Sequence, residues 1–485
     1  MEQQGLTYGL GDTIAAIATP HGRGGIAVIR VSGNDAIATV SRLWKGKDLD
    51  ALPSHTAHLG KITDINGYVI DQAVATIFRG PRSFTGEDTV ELALHGSIWI
   101  QRQTLDVLVQ AGARIAGPGE FSRRAFINGR MDLAQTEAVA DIIAADSRAA
   151  HNLAMRQMSG AFSRKLNDLR DRLVNFASLL ELELDFSEED VEFVDRAQLI
   201  ATAEETLAMV RRLAQSYSAG RVFKEGIPVA IAGAPNVGKS TLLNHLLGDD
   251  KAIVSDIPGT TRDVIEGTCE INGILFRFID TAGLRDTTDV VERMGIERAR
   301  RHISRAAIIL WLTDATAISD DAVAPAFSDN AADSAPRIFH LLNKADILPS
   351  ASNPDASSPT HIRPVSGNSD HSGYSDNPKR HIPTYLVSAK TGEGIEDVIA
   401  AITKEALRGH NPDEELIVTN ARHHAALQAG ADSLSRAIDA LRDGLPADLV
   451  AQDVREALHH LGLVTGAVTT DALLSHIFSS FCIGK

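Results

Sequence analysis

Residues Gly233 to Ser240 read GAPNVGKS, a G-x-x-x-x-G-K-[ST] spacing set between the apolar run Val229–Ala232 and the helical stretch Thr241–Leu247. In a strand–loop–helix setting, such glycines let backbone N–H groups curl around a β-phosphate at a helix N-terminus. Lys239 brings a point charge to the β- and γ-phosphates, the Ser240 hydroxyl is placed to ligate Mg2+, and Asn236, Val237, Gly238 and Thr241 complete the loop. Further along, Thr260 and Thr261 in SDIPGTTRD can reach Mg2+ and a γ-phosphate. Asp280, Thr281, Ala282 and Gly283 spell DTAG at the end of a predicted strand, with Asp280 behind Mg2+ and the Gly283 N–H able to sense a γ-phosphate. Asn343, Lys344 and Asp346 belong to NKAD after another strand. A carboxylate accepts only, so Asp346 can take two N–H bonds from a guanine edge, a donor pair that adenine lacks. The backbone of Ser388, Ala389 and Lys390 (SAK) can read the guanine 6-oxo group. These elements in this order predict GTP binding and hydrolysis.

Three textures must position these groups. Residues 12 to about 120 alternate β-prone runs (Ile14–Thr19, Ile26–Val31, Ala73–Phe78, Thr89–Leu94) with Gly/Pro breaks, which predicts an α+β domain. From about 130 to 215 Gly and Pro nearly vanish, and Leu169, Leu173, Phe176 and Leu180 step by 4, 3 and 4 along one helical face. Beyond Gly226, the runs Val229–Ala232, Ile274–Ile279, Ala307–Leu312, Arg337–Leu342 and Thr384–Val387 alternate with helical stretches, as in a parallel sheet with crossover helices. After about 410 the helical period returns with Leu427, Leu434, Ile438 and Leu441. Each helical region has an apolar face to bury, and the other is its obvious partner. The expected fold is therefore a multidomain α/β plus α chain. It comprises an α+β domain over 1–128, a discontinuous helical domain over 129–220 and 409–485, and an inserted P-loop (Ras-like) GTPase domain over 221–408. The Ser/Asn/Asp/Pro-rich stretch 350–380 reads as a surface loop.

Composition narrows the classes. The 485 residues suggest about three domains, and 44% hydrophobic with 23% charged residues excludes a disordered or collagenous chain. Two cysteines, Cys269 and Cys482, cannot build a disulfide framework, and the start MEQQGLTYGLGD lacks the basic and apolar regions of a signal peptide. A cytoplasmic protein without membrane spans is expected. The net charge of −16 argues against a broad basic surface for nucleic acid, though not against a local patch. Cys269 reads as packing, and the pairs His423-His424 and His459-His460 lack further ligands at metal spacing.

The nucleotide motifs resemble those of the GTPase superfamily. Leu284 stands where many of its members carry a water-orienting Gln, so hydrolysis must be assisted in another way. Asn236 together with the GTT segment resembles GTPases activated by K+, in which the ion takes the place of an arginine finger. The chain ends FCIGK, and it contains TIAAIATPHGRGGIAVIRVSG, SFTGEDTVEL and PGEFSRRAFINGRMDLAQTEAVADII. With these segments, and with the GTPase inserted into a helical region, it resembles the tRNA-modification GTPase family MnmE (TrmE) over nearly its whole length.

The resemblance implies a homodimer made by a folate-binding N-terminal domain. It also implies an MnmG-type FAD-containing partner, joined in a heterotetramer or larger assembly, and a tRNA substrate held largely through that partner. The implied reaction adds an aminomethyl-type group to the wobble uridine at its 5-position, with a one-carbon unit from 5-formyl- or 5,10-methylene-tetrahydrofolate. Folate contacts would fall on Arg30, Glu91, Arg130 and Lys485; the family often has Lys where Arg130 stands. K+ would fall to Asn236, Ser255, Ile257 and Thr260, with Ser255 in place of the common Thr, and Mg2+ to Ser240 and Thr261. The carboxylate that orients water maps onto Glu292 in DVVERMGIERA. Cys482 admits two readings, a nucleophile near Lys485 or a small apolar residue under the tail. A pure GTPase switch acting in ribosome assembly is the competing class. It would carry an RNA-binding module, yet no GXXG loop in a basic setting follows the GTPase region.

Overall fold

The computed structural model describes residues 11–185, 196–251, 267–280, 306–316, 336–348, 382–407 and 416–484. These form two compact units. One consists of Met1–Ala144, Ala154–Arg212 and Ala425–Lys485, the other of Ala145–Leu153 and Leu213–His424.

The first unit opens with strands β1 (Ile14–Ile17) and β2 (Ile26–Ser32), helix α1 (Ala36–Ser41), and strands β3 (Trp44–Lys45), β4 (Thr56–Thr63), β5 (Val69–Phe78) and β6 (Thr89–His95). Helix α2 (Ile98–Gln110), strand β7 (Arg114–Ile115) and helix α3 (Glu120–Ile127) follow. The sheet order is β3-β4-β5-β6-β2-β1-β7. Only the β1–β7 pair is parallel. In β2 and β6, Ala27, Ile29, Val31 and Val90, Leu92, Leu94 are buried, the alternation expected of a sheet with one face on a core. Strand β4 inverts that rule. Its apolar Ala57 and Leu59 are exposed, and its turned-in Thr56, His58 and Gly60 are polar or small, so on that face only Ile62, fully buried, brings an apolar side chain to the core.

A buried ionic cluster ties α3 to the sheet. The Arg124 side chain, 4% exposed, donates to the Asp12 carbonyl and to the carboxylates of Asp12, Glu87 and Glu120. Arg114 donates to Glu120 at 2.6 Å and to Asp12 at 2.7 Å. Burial alone would raise the Glu120 pKa, but its bonds to Arg114, to the Gly117 N–H and to Arg124 outweigh that and hold it below the usual carboxylate value.

Helices α4 (Leu133–Ile143), α5 (Arg148–Met158), α6 (Ala161–Asp185) and α7 (Arg196–Gln215) come next. Asp132 and Gln135 close a reciprocal capping box at the start of α4. In α6 the face Leu169, Leu173, Phe176 and Leu180 is buried, as its spacing predicts.

The second unit carries helix α8 (Tyr217–Glu225), strand β8 (Ile227–Gly233), helix α9 (Lys239–Lys251), and strands β9 (Gly267–Ile271), β10 (Ile274–Asp280), β11 (Ile308–Asp314), β12 (Arg337–Asn343) and β13 (Thr384–Leu386), closing on helix α10 (Ile395–Leu407). The backbone of α9 leaves helical geometry at Gly248. The sheet order is β13-β12-β11-β8-β10-β9, all parallel except for the β9–β10 hairpin. Its inner strands β8, β10 and β11 are buried on both faces and read as apolar runs rather than alternations. Cys269 is fully buried in this core, as a packing residue would be.

The chain then returns through α11 (Ala421–Arg442), α12 (Ala447–Thr465) and α13 (Asp471–Ser479). Helix α12 packs along α6, so the helical segments on either side of the α/β unit share one core. Leu133 of α4 joins Leu474, Ile477 and Phe478 of α13 and Phe481 in a second buried cluster. No helix among the described residues is long and apolar enough to cross a membrane.

Candidate functional site

Five chain positions meet at the carboxyl ends of the parallel strands, where open α/β sheets place their ligands. They are Gly233 ending β8, Asp280 ending β10, Asp314 ending β11, Asn343 ending β12, and Ser388 just beyond β13. The loop between β8 and α9 is shaped by two left-handed residues, Asn236 (φ 62°) and Gly238 (φ 98°). Lys239 folds back into this curl, with Nζ 3.0 Å from the Gly233 carbonyl and 2.8 Å from that of Ala234. A lysine held within a ring of main chain at a helix N-terminus has the donor chemistry a polyphosphate needs. Asn236, Ser240 and Thr241 are exposed beside it, offering oxygens of the kind that Mg2+ and K+ take.

Asn343 locks the loop to the base side. Its Nδ2 donates to the Val237 carbonyl at 2.7 Å and its Oδ1 accepts the Ala389 N–H at 2.8 Å, both buried. The Ser388 hydroxyl donates to Asp346 Oδ1 at 2.7 Å and accepts the Thr391 N–H at 3.2 Å, which turns the Asp346 carboxylate and fixes the SAK loop. Lys344 pairs with Asp314, and that contact, with Thr316 donating as well, pulls the Asp314 pKa down to about 2. Asp314 was not among the residues singled out by motif. Its signal is positional, an acid at the end of a parallel strand.

Ser255, Ile257, Thr260, Thr261, Thr281, Ala282, Gly283, Glu292 and Lys485 lie outside the described residues, and of Asp280 only the backbone position is described.

In the first unit, Arg30 on β2 and Glu91 on β6 sit directly opposite each other and pair at 2.9 Å. The Arg30 guanidinium lies over the rings of Phe84 and Phe121, 5.1 and 5.7 Å from their centroids. Phe84 is half-buried and Phe121 fully buried, so two aromatic faces back the guanidinium. Both fall within the SFTGED and PGEF segments, but nothing in their spacing distinguishes them. Exposed Arg130 lies against Gly86, in the same loop as Phe84. Exposed Cys482 accepts the Gly119 N–H at its carbonyl at 3.4 Å, and the neighbouring Gly484 packs on the Ile17 carbonyl of β1. Around Cys482 and the two histidine pairs, no group of three or more His, Cys, Asp or Glu side chains among the described residues is arranged to hold a metal ion.

The parallel sheet, the lysine-bearing loop after its central strand and an NKAD aspartate steadied by a serine hydroxyl together define a P-loop GTPase unit within a larger chain. Family models match on both sides of and across that unit: the GTP-binding protein TrmE N-terminus over residues 13–130 and the MnmE helical domain over residues 133–482. Proteins called tRNA modification GTPase MnmE are similar throughout. That of Cytophaga hutchinsonii is 44% identical over 98% of each chain. That of Flavobacterium psychrophilum is 45% identical over 98% of this chain and 99% of its own, and that of Parabacteroides distasonis 45% over 98% and 100%. The chain belongs to the MnmE family of tRNA modification GTPases and is a GTP hydrolase.

Proposed function

We propose that this chain couples GTP hydrolysis to modification of the wobble uridine of tRNA at its 5-position, adding a carboxymethylaminomethyl or aminomethyl group. It does so in the cytoplasm as a homodimer with an MnmG-type FAD-containing partner, and the tRNA is held largely through that partner. The division into 1–128, 129–220, 221–408 and 409–485 assigns folate binding and dimerisation to the first domain and GTP to the third. One observation carries the reading. The likeness to chains called tRNA modification GTPase MnmE extends over nearly the whole length.

The P-loop lysine and backbone would grip the phosphates, Ser240 and Thr261 would hold Mg2+, and Asp346 with the SAK loop would select guanine. Asn236, Ser255, Ile257 and Thr260 would hold K+, which would supply positive charge where an arginine finger acts in other GTPases. Glu292 orients the attacking water in place of the Gln that Leu284 displaces. Arg30, Glu91, Arg130 and Lys485 would hold a tetrahydrofolate derivative, which would supply the one-carbon unit. Cys482 supplies a thiol next to that site. GTP turnover is expected to be at least tenfold faster in KCl than in NaCl, and Asn236→Ala to abolish the difference. Equal rates in both salts for the unaltered chain would remove K+ from the scheme.

The reading as a whole is tested by mass spectrometry of tRNA nucleosides from a strain lacking this chain, alone and complemented. Loss of the 5-substituted wobble uridine, restored by the intact chain but not by Lys239→Ala, is expected. An unchanged nucleoside profile in the deletion would refute it.

A further inference from the structure

Arg30 and Glu91 stand opposite each other on one face of the β2–β6 pair, and the next cross-strand pair on that face is Ser32 and Thr89. The hydroxyls of these two residues and of Thr85 form a buried cluster. Ser32 lies 2.7 Å from Thr85, and Thr89 lies 3.3 Å from Ser32 and 3.4 Å from Thr85. Ser32 also donates to Glu87 at 2.9 Å. From its other side the Glu87 carboxylate accepts Arg124, at 3.2 Å to each oxygen. These two side chains are 12% and 4% exposed. The loop that carries Glu87 is tied down further. The Gly33 N–H donates to the Asp88 carbonyl at 3.0 Å, and Asn128 donates to the Thr85 carbonyl at 2.7 Å.

Helix α3 brings two residues to this region from one of its faces. Phe121 sets its ring against the Arg30 guanidinium, and Arg124, three positions on, reaches Glu87. Phe84, whose ring also faces that guanidinium, stands in the loop three residues before Glu87. The Glu87–Arg124 contact therefore joins the two supports of Arg30, the loop and the helix. Arg124 is itself anchored on Asp12 and Glu120. All of these residues belong to one compact unit. Burying charges is costly and pairing them returns little net stability, so such a network is a weak source of stability. What fully bonded buried ions supply is fixed geometry.

We propose that Glu87 and Arg124 are positioning residues for the Arg30–Glu91 pair. By fixing the 83–88 loop on α3, they keep the Phe84 and Phe121 rings against the Arg30 guanidinium. The pair then stands preformed before a ligand arrives. A planar cation already held by two ring faces has fewer conformations to lose on binding, so its preorganisation is read as affinity. That the ligand is a tetrahydrofolate derivative rests on the proposed function; the holding of Arg30 does not.

Two measurements on the full-length protein test it. The first is nuclear magnetic resonance of ligand-free protein carrying isotope-labelled arginine. The Arg30 Nε–H resonance, assigned by its loss in Arg30→Lys, is expected to be displaced by the ring currents of the two phenyl groups. Glu87→Gln keeps the shape of the side chain but not its charge, and it should move that resonance at least half as far as Phe84→Leu does. The second is titration with 5-formyl-tetrahydrofolate. Glu87→Gln and Phe84→Leu should each raise Kd at least about fivefold, and the double variant should be no more than about twofold worse than the weaker-binding single one, because both act through the same ring. Ser32→Ala removes one donor from Glu87 and should move the resonance in the same direction; it takes the place of Glu87→Gln if that variant does not fold. Positioning by Glu87 is refuted if the resonance stays where it is in the folded variant, or if the two Kd effects multiply. A folded, unaltered chain that does not bind 5-formyl-tetrahydrofolate refutes the folate reading, while the Arg30 resonance still decides the positioning.

Discussion

Asp346→Asn is expected to weaken GTP binding about 100- to 10,000-fold while leaving the fold intact. Hydrogen bonds to a charged acceptor contribute about 1.5–3 kcal/mol each, and two are lost at the guanine edge, which at about 1.4 kcal/mol per tenfold gives that range. An amide presents a donor where the base also donates, so the loss includes repulsion as well as an absent partner. The Ser388 hydroxyl, 2.7 Å from Asp346 Oδ1, can reorient to an amide oxygen, so the SAK loop should persist. Xanthine, with an oxo group where guanine has its amine, should bind the variant better than guanine does. Titrations with labelled GDP and XDP measure both effects. A GTP affinity within threefold of the unaltered chain would show that Asp346 does not read the base.

Gly238→Ala is expected to abolish GTP binding by a different route. At φ 98° an L side chain is strained by about 1–2 kcal/mol. The added Cβ would also stand 2.3 Å from Nδ2 of Asn343. That amide cannot simply move aside, because it holds the Val237 carbonyl and the Ala389 N–H at once. Displacing it leaves two buried groups unpaired at about 1–3 kcal/mol each. Phosphate loop and base loop should therefore fail together, with no saturable GTP binding at millimolar nucleotide. The α/β unit should also melt several degrees lower in calorimetry. Retained micromolar binding would show that Asn343 is not the linchpin of the site.

The asymmetry between these two residues marks what was legible in the chain. Lys239, Asp346 and the SAK residues could be read because the chemistry lies within a few consecutive positions and its strand–loop–helix setting shows in the flanking apolar runs. The bridge made by Asn343 joins residues 106 and 46 positions apart, and the Lys344–Asp314 pair spans 30. No local pattern encodes such contacts. Core faces were equally readable where burial is one-sided, as at Leu169, Leu173, Phe176 and Leu180 of α6. Strand β4 was not, because its exposed Leu59 and its turned-in His58 and Gly60 invert the rule on which pattern reading depends. The texture of residues 130–215 as one helical stretch likewise hid the fact that 145–153 pack with the α/β unit, since helical periodicity reports a buried face and not what covers it.

The packing of α12 along α6 has a consequence for how the chain is made. Roughly 260 residues separate Asp185 from Ala447. At about 5–20 residues per second, a ribosome takes roughly 10 to 50 s to cross that interval. During that time the α/β unit can fold outside the exit tunnel, but the apolar stripe of α6 has no α12 to cover it. The early helices must wait, paired with each other or shielded by a chaperone, for a partner still unsynthesised. A stall in translation between these helices would expose an aggregation-prone surface that the finished molecule never shows.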